Sequence, residues 1–279
     1  MTIRGGLWLI VVLALVLAIG VPLPVRAGVD MGGKVAAVLF SDAEIDQLLG
    51  LSGLERSIGA APALIRSAVE RGMPSLTDEQ RLRLSGRIDE IKVVALLIET
   101  ARVDVRSKFD EKSFKEVHGW FSGNIAKKII AAEKTASEAD GQAQMQDAVT
   151  RGSSQPLDFD RSQVLRDLDF VTRASATQKL TMDDLLDILA KKTKDVAKLT
   201  EVQKGILMAQ RDMENNMLYA MGSAYKGVSD DELKAYVAFY KTPAGQKWVD
   251  ILRGVTRNLW RLVNQTAMDF MAEQEAPRR

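Results

Sequence analysis

Apolar residues recur at spacings of three and four along most of the chain, and runs of alternating β-branched residues are absent. This period matches the 3.6-residue turn of an α-helix, so the pattern predicts an all-α protein without a sheet. Helix starts are marked where an oxygen acceptor is followed three residues later by a polar side chain that can cap in return. Such pairs are Ser41 with Glu44, Thr77 with Gln80, Asp160 with Gln163, Thr181 with Asp184 and Ser229 with Glu232. The chain is therefore predicted to form many short helices rather than one long coiled coil.

Residues 228–248, VSDDELKAYVAFYKTPAGQKW, carry the clearest helix-turn-helix pattern. Ser229 is placed to cap the first helix, and Thr242 is placed to cap the second. Pro243 suits the first position of the second helix because the amide hydrogen it lacks would have no partner there. Gly245, in the next turn, permits close approach of another helix. The bulky aromatic residues of the segment are predicted to fill the space between the helices: Phe239, Tyr240 and Trp248.

A degenerate copy of this segment lies 119 residues upstream, at residues 109–129, with the sequence FDEKSFKEVHGWFSGNIAKKI. The ungapped alignment pairs Phe114 with Leu233, Trp120 with Phe239, Phe121 with Tyr240 and Lys128 with Lys247. The upstream copy has Gly123 and Asn124 where the other has threonine and proline, so its break between helices is expected to be looser.

The duplication extends beyond this motif, since residues 48–52 resemble residues 168–172 at an offset of 120. A polar linker, residues 151–156, lies where two copies would be joined. The sequence therefore predicts two related multi-helix repeats, residues 41–150 and 157–271, that form a bundle of helical hairpins.

The N-terminus has the features of an export signal. Arg4 gives it a positive start, and residues 7–19 form an apolar run of 13 residues, shorter than the ~20 that a spanning helix needs. Cleavage after Ala27 predicts a periplasmic protein with a flexible N-terminus, residues 28–40, and a disordered tail, residues 272–279. An uncleaved signal that anchors the protein in the inner membrane is the alternative.

The composition of the chain limits which partners it can bind and which bonds can stabilise its fold. The chain has no cysteine, so neither disulfides nor a lipid anchor on cysteine contributes, and the core alone must hold the fold. Loss of Arg4 and Arg26 with the signal leaves 36 of the 38 basic residues against 37 acidic ones. This balance argues against nucleic acid or an anionic membrane surface as the main partner.

The downstream copy resembles a known family, the bacterial exported family named domain of unknown function 2059. The resemblance rests on Asp230-Asp231-Glu232-Leu233, Phe239-Tyr240, Thr242-Pro243, Gly245 and Lys247. It is specific over residues 228–263 and weaker over residues 165–227. The resemblance implies an all-helical fold and an envelope location, usually periplasmic, but it brings no established activity and no catalytic residues.

Three methionines are the candidate ligand-binding residues. Met213, Met217 and Met221 recur every four residues, so their thioethers share one gently drifting helix face. Core packing is the first interpretation of this face. An apolar ligand or peptide groove and a Cu(I) site are the alternatives, because methionine is both adaptable and a soft ligand.

The other candidates for chemistry have plainer explanations. Ser223 and Lys226 match the Ser-x-x-Lys pattern of serine acyl-enzymes, but the partner motifs of those enzymes are missing. His118 is the only histidine and is predicted to pack near Phe114. The acidic groups at the predicted helix starts are expected to act as caps, and no Gly-rich phosphate loop is present. No catalytic residue, metal site or cofactor is therefore predicted.

The leading hypothesis is a non-catalytic periplasmic helical protein that acts as an interaction or envelope-maintenance module. Its partner would be another envelope protein or an apolar ligand, with membrane contact only through an uncleaved signal. The first alternative is a carrier or chaperone for an apolar ligand or peptide, with a groove lined by the methionines. The second alternative is a hydrolase that uses Ser223.

Overall fold

The computed structural model describes residues 40–72, 76–152, 157–192 and 196–275. Within these ranges the chain is helical and has no strand, so the predicted all-helical fold is confirmed. The helices are α1 (Asp42–Leu51), α2 (Leu54–Gly59), α3 (Ala61–Gly72), α4 (Asp78–Glu90), α5 (Val93–Lys108), α6 (Glu111–Ser122), α7 (Asn124–Ser137), α8 (Ala139–Arg151), α9 (Phe159–Thr172), α10 (Ala174–Lys192), α11 (Val196–Arg211), α12 (Met213–Ala224), α13 (Asp230–Lys241) and α14 (Pro243–Glu275).

Several sequence predictions fall partly or wholly outside the described residues. The export signal, residues 1–27, lies outside them, as do all but the last residue of the segment 28–40 and most of the linker. At the other end, α14 continues to Glu275, so the first residues of the predicted disordered tail are helical. Among the described helices, none combines the length and the apolar character needed to cross a membrane.

Three of the five predicted capping pairs are present as reciprocal capping boxes. Ser41, Thr77 and Ser229 each accept the amide hydrogen three residues later, and the side chain at that position accepts from the cap backbone. Each box satisfies amide groups that would otherwise lack a partner at the helix start.

The other two predicted pairs are wrong. The helix α9 starts two residues earlier than predicted and is capped by Asp158, whose carboxylate accepts the amide hydrogens of Asp160 and Arg161. Thr181 lies inside α10, where its hydroxyl donates to the carbonyl of Gln178. A threonine that bonds back along its own helix does not need to start one.

The breaks between α6 and α7 and between α13 and α14 have the same backbone. Gly123 has φ −74° and ψ 159°, and Thr242 has φ −71° and ψ 155°. Their amides donate to the carbonyls of Trp120 and Phe239 at 2.9 and 3.0 Å. The looser break expected in the upstream copy is therefore not observed, because glycine adopts this extended conformation without a side-chain cap.

The sharp break between α13 and α14 requires a glycine at position 245. The Thr242 hydroxyl accepts the Gly245 amide hydrogen at 2.9 Å, which turns α14 back against the end of α13. A Cβ atom at position 245 would clash with the carbonyl of Phe239. The close approach predicted for this glycine is thus to the preceding helix.

Helices in the two halves of the chain start at corresponding positions. The starts of α1, α2, α4, α5, α6 and α7 precede those of α9, α10, α11, α12, α13 and α14 by 117 to 120 residues. The first half has extra breaks at Ala60 and at Glu138, where α10 and α14 continue. The order of helices is otherwise the same in both halves.

The last helices of each half pack on the other half. The helix α14 contacts α5 and α6, while α7 and α8 contact α12 and α13. One hydrophobic core runs through both halves, with the fully buried Trp248 of α14 among its members. The halves therefore form one packed body.

Aligned residues meet across this contact in a reciprocal way. The ring of Trp120 stacks on its aligned partner Phe239, with centroids 4.8 Å apart and planes 6° from parallel. Lys128 donates to Glu232 of the second half at 2.7 Å. Its aligned partner Lys247 donates to Ser113, the residue aligned with Glu232, at 2.9 Å, and to Asp110 at 2.8 Å. Contacts in which equivalent residues exchange partners are those of an isologous interface.

Candidate functional site

An open groove of about 810 Å³ lies in the second half of the chain. Its wall is the junction of α9 and α10, and its other sides come from α12, from the end of α13 and from the start of α14. The lining residues are Arg166, Asp167, Asp169, Phe170, Val171, Arg173, Ser175, Ala176, Lys179, Glu214, Leu218, Lys241 and Gln246. A groove of this size can hold a small molecule or a short peptide segment.

The junction of α9 and α10 is held in place by a buried residue and by hydrogen bonds from α14. Thr172 ends α9 and is buried, and Arg173 follows in the left-handed region with φ 55°. The Gln246 side-chain amide donates to the carbonyls of Val171, at 3.0 Å, and of Tyr240, at 2.6 Å. Gln246 thereby joins the ends of α9 and α13 to the start of α14, which sets the floor of the groove.

Phe170 is the most exposed large apolar side chain of the groove, with 81% of its surface accessible. Phe159 is 78% exposed and lies eleven residues earlier, about three turns of helix, on the same face of α9. Two phenylalanines in water on one face, beside a groove, are typical of a surface that another molecule covers.

The two lysines of the groove are paired with carboxylates. Lys179 lies 2.7 Å from Glu214, and Lys241 lies 4.0 Å from Asp167. The nearby lysine lowers the pKa of Glu214 through a hydrogen bond and its charge. These four charges therefore largely cancel one another.

The two arginines differ from the lysines. Among the described residues, neither Arg166 nor Arg173 has a carboxylate within the 4.0 Å of an ion pair. The field of Arg173 also reaches Arg253, which is 2% exposed and bonds Thr177 through Nε at 3.1 Å. Burial, with the like charge of Arg173, lowers the pKa of Arg253 to about 9. Arg166 and Arg173 thus lie at the groove without a direct ion pair, although the charge of Arg166 also helps to lower the pKa of Glu214.

The groove also contains the N-terminus of α10. Asp169 accepts the amide hydrogen of Ser175 at 2.8 Å. Burial raises the pKa of Asp169, and the hydrogen bonds from Ser175 oppose this shift. Ser175 is 4% exposed, and its Oγ makes no hydrogen bond of full geometry although it lies close enough to lower the pKa of that carboxyl. The carboxyl of Asp169 therefore lies beside both the amide and the hydroxyl of Ser175 at the N-terminus of α10.

The comparison with known families concerns α13 and α14, which form one side of this groove. The model of a bacterial family, described as "Uncharacterized protein conserved in bacteria (DUF2059)", matches residues 226–273. We call these residues, which match the model, the DUF2059 region. The match confirms the resemblance noted in the sequence. The searches of curated proteins and of solved structures found no match.

The DUF2059 region supplies Lys241 and Gln246 to the groove, while α9, α10 and α12 lie outside it. Within the region, Phe239, Tyr240 and Trp248 are buried, and Tyr240 shares a hydrogen bond of 2.8 Å with Tyr236. The region therefore provides mainly scaffold and one exposed side chain, Lys241, while the exposed Phe170, Arg166 and Arg173 come from the segment before it.

The candidate methionines lie in packed interior. Met213, Met217 and Met221 are at most 4% exposed, and none of them lines a described cavity. Met217 and Met221 belong to the main core, whereas Met213 packs with Met182 and Ile206 in a smaller cluster. The neighbouring Leu218 reaches the groove instead.

The remaining candidates are not brought together. Within the described residues, no hydrogen bond joins the Ser223 hydroxyl to Lys226, and neither residue lines a described cavity. His118 stacks on Phe114 with ring centroids 6.2 Å apart. In the part of the chain that the structure describes, no group of three or more potential ligands is placed to hold a metal ion.

A second polar cluster lies where the two halves meet. Glu133 of α7 accepts hydrogen bonds from Tyr225, at 2.8 Å, and from Tyr236, at 3.2 Å. Burial raises the pKa of Glu133, and the bonds from the tyrosines and the charge of Arg56 oppose this shift. The adjoining cavity measures about 40 Å³ and is lined by Arg56, Glu133 and Tyr236 among others. A cavity of this size holds water rather than a ligand.

Sequence reasoning missed the groove, although one signal for it was present. The buried stripe of α9 comprises Val164, Leu165, Leu168 and Val171. Phe159 and Phe170 lie off that stripe. An aromatic residue on the polar side of an amphipathic helix marks a surface with a partner more directly than buried methionines do.

Proposed function

We propose that the chain is an exported, non-catalytic interaction module of two related helical repeats, which takes a segment of a partner envelope protein into the groove. The observation that carries this proposal is the open groove with Phe170 exposed on its wall. An exposed aromatic anchor beside a largely apolar groove is typical of peptide recognition.

The two-repeat organisation is supported by the corresponding helix starts and by the reciprocal contacts between aligned residues. In this proposal the repeats serve as a rigid frame. Only the second repeat presents the groove, since the junction of α9 and α10 forms its wall.

A protein partner is favoured over a small apolar ligand because the groove is open along one side and has charged residues at its rim. A carrier would instead enclose most of its ligand. The hydrolase hypothesis is supported only by the Ser-x-x-Lys pattern. A hydrolytic activity that is lost in Ser223→Ala would support it further.

Site-specific photo-crosslinking in intact cells tests the groove. A photoreactive phenylalanine analogue replaces Phe170 in one variant and Leu82, which is exposed on α4 of the first half, in the control. We expect one discrete crosslinked partner from position 170 and none from position 82. Equal crosslinking from both positions, or none from position 170, would contradict the proposal.

Export is tested separately by N-terminal sequencing of the protein from fractionated cells. Cleavage after Ala27 gives a periplasmic chain that starts at Gly28. An intact N-terminus in the inner-membrane fraction would support the anchored alternative.

A further inference from the structure

Only some of the charged side chains that line the groove are paired with an opposite charge. Each lysine has a carboxylate partner in the groove, while the two arginines beside Phe170 have none among the described residues. The third carboxylate, Asp169, is occupied by the Ser175 amide. An incoming carboxylate would therefore meet two guanidinium groups that are free to bind it in the two-pronged way typical of arginine.

Arg173 occupies a backbone position that disfavours an arginine. Its φ of 55° lies in the left-handed region, where the aligned residue of the first half is Gly53, with φ 75°. A side chain at such a position costs backbone free energy, and residues held there are concentrated at binding sites. The second half thus keeps a guanidinium at a turn where the first half uses the residue that suits the backbone.

The N-terminus of α10 adds to the same field. This helix has 19 residues, and its first turn places Ser175 and Ala176 at the groove. Helix N-termini attract anions through their free amides and their dipole. The Ser175 amide is bonded to Asp169 and the buried Ser175 Oγ lies beside the same carboxyl, so this helix start contributes its dipole rather than a free side-chain donor.

The apolar side chains limit what kind of anion fits. Phe170 and Leu218 line the same groove as the arginines, so a bound molecule must present an apolar group and an acidic group together. An inorganic anion would leave Phe170 exposed to water. A peptide segment with both kinds of side chain would cover the phenylalanine and neutralise the arginines at once.

We propose that the groove recognises an acidic amphipathic peptide segment, whose apolar side chains pack on Phe170 and Leu218 and whose carboxylates bind Arg166 and Arg173. This inference rests on the proposed function and names the chemistry of the partner segment. Binding would also remove the repulsion between Arg173 and the buried Arg253.

The test uses the whole mature chain and three fluorescein-labelled synthetic peptides of about four helical turns. The first carries leucine on one face and glutamate on the other. The second has lysine in place of glutamate, and the third has serine in place of leucine. Fluorescence anisotropy gives the Kd of each peptide at low and at high salt.

Four variants separate the contributions. Arg173→Gly and Arg166→Gln remove the guanidinium groups, Phe170→Ser removes the aromatic anchor, and Arg83→Gln removes an exposed arginine of α4 paired with Glu79. Circular dichroism checks the fold of each variant. If Arg173→Gly disturbs folding, Arg166→Gln still tests whether a groove arginine contributes to binding.

We expect the leucine–glutamate peptide to bind most tightly, and each groove-arginine variant to weaken it about tenfold, the loss typical of a charged hydrogen bond. Added salt should weaken binding to the parent chain more than to the arginine variants. Phe170→Ser should weaken binding, and Arg83→Gln should leave it unchanged.

The outcomes distinguish this inference from the proposed function. If Phe170→Ser weakens binding but the lysine peptide binds as well as the glutamate peptide, the acidic class is wrong and the groove remains a peptide site. If no peptide binds at about 1 mM, or if Phe170→Ser binds like the parent chain, both the inference and the proposed function fail.

Discussion

Gly53 and Arg173 occupy the same left-handed turn in the two halves of the chain, with φ angles of 75° and 55°. Each lies between a helix that ends one or two residues earlier and a helix that starts at the next residue. The first half closes this turn with the residue that the backbone prefers. The second half places a guanidinium there, at the wall of the groove of about 810 Å³. At this turn, the half that carries the groove therefore has the residue that the backbone favours less.

The contact between the halves shows a second difference. At the alignment offset of 119, Tyr236 and Tyr240 correspond to Val117 and Phe121, and Glu133 corresponds to Leu252. Glu133 and the tyrosines form a hydrogen-bonded cluster on one side of the interface, and the counterpart positions are apolar. The reciprocal interface therefore keeps its packing on both sides, while the cluster of Glu133 and the tyrosines has no polar equivalent at these counterpart positions.

The largest effect is expected at the stacked aromatic pair. Phe239→Ala removes a buried ring that stacks on Trp120, so we expect a loss of about 3–5 kcal/mol in the free energy of unfolding. Urea denaturation measures this loss. Phe159→Ala, at an exposed ring, is the matched control and should change stability by about 0.5 kcal/mol or less. Similar losses for the two variants would show that the aligned residues do not form the centre of the interface.

The two left-handed turns provide the next comparison. Arg173→Gly should raise the free energy of unfolding by about 1 kcal/mol, because glycine relieves the left-handed backbone. Gly53→Ala should lower it by a similar or larger amount, since a Cβ there would lie 3.0 Å from the Arg56 side chain and 3.2 Å from Ile130. The comparison fails if Arg173→Gly destabilises the chain, since the arginine would then be a structural residue.

The fold was predictable where the signal is local. Ser41, Thr77 and Ser229 start helices because a capping box lies within four residues of sequence. Thr181 carries the same pattern yet lies inside α10, because its hydroxyl finds a carbonyl in the helix and α10 is continuous there. A local pattern shows that a cap is possible, while the packed helix decides whether the chain breaks.

The groove was not predictable in the same way. Its lining comes from five helices that are separated by up to about 80 residues in sequence, so no single motif records it. The alignment did single out Lys128 and Lys247, but it could not assign their partners across the interface. Reciprocal partners follow from how the halves pack, which depends on long-range contacts.

The polar side of the interface predicts a pH dependence. Burial raises the pKa of Glu133, so the folded state holds its proton to a higher pH than the unfolded state does. Its stabilising contribution is present at pH values below the unfolded pKa and is lost as the pH rises through the raised folded pKa. Glu133→Gln is neutral at every pH and retains an oxygen for the tyrosine hydroxyls.

The stability difference between Glu133→Gln and the parent chain should therefore grow in favour of the variant between acid and neutral pH. We expect this effect to be smaller than that of the aromatic pair, because solvent reaches part of Glu133. Urea denaturation at a series of pH values gives the difference directly. A difference that stays constant with pH would show that the pKa of Glu133 is the same in the folded and the unfolded state.

The smallest effect is expected at the reciprocal lysines, which are paired with a partly exposed carboxylate, Glu232, and an exposed one, Asp110. Hydrogen bonds from the lysines lower the pKa values of Asp110 and Glu232, so these pairs stabilise the fold above the unfolded pKa of each acid and lose their effect as the pH falls. Lys128→Met and Lys247→Met should each cause a small loss of stability at neutral pH that disappears in acid or at high salt. Because the two lysines are related by the alignment, the two losses should be similar and should add in the double variant. A large loss of stability in only one of the two variants would show that the two aligned contacts contribute unequally to stability.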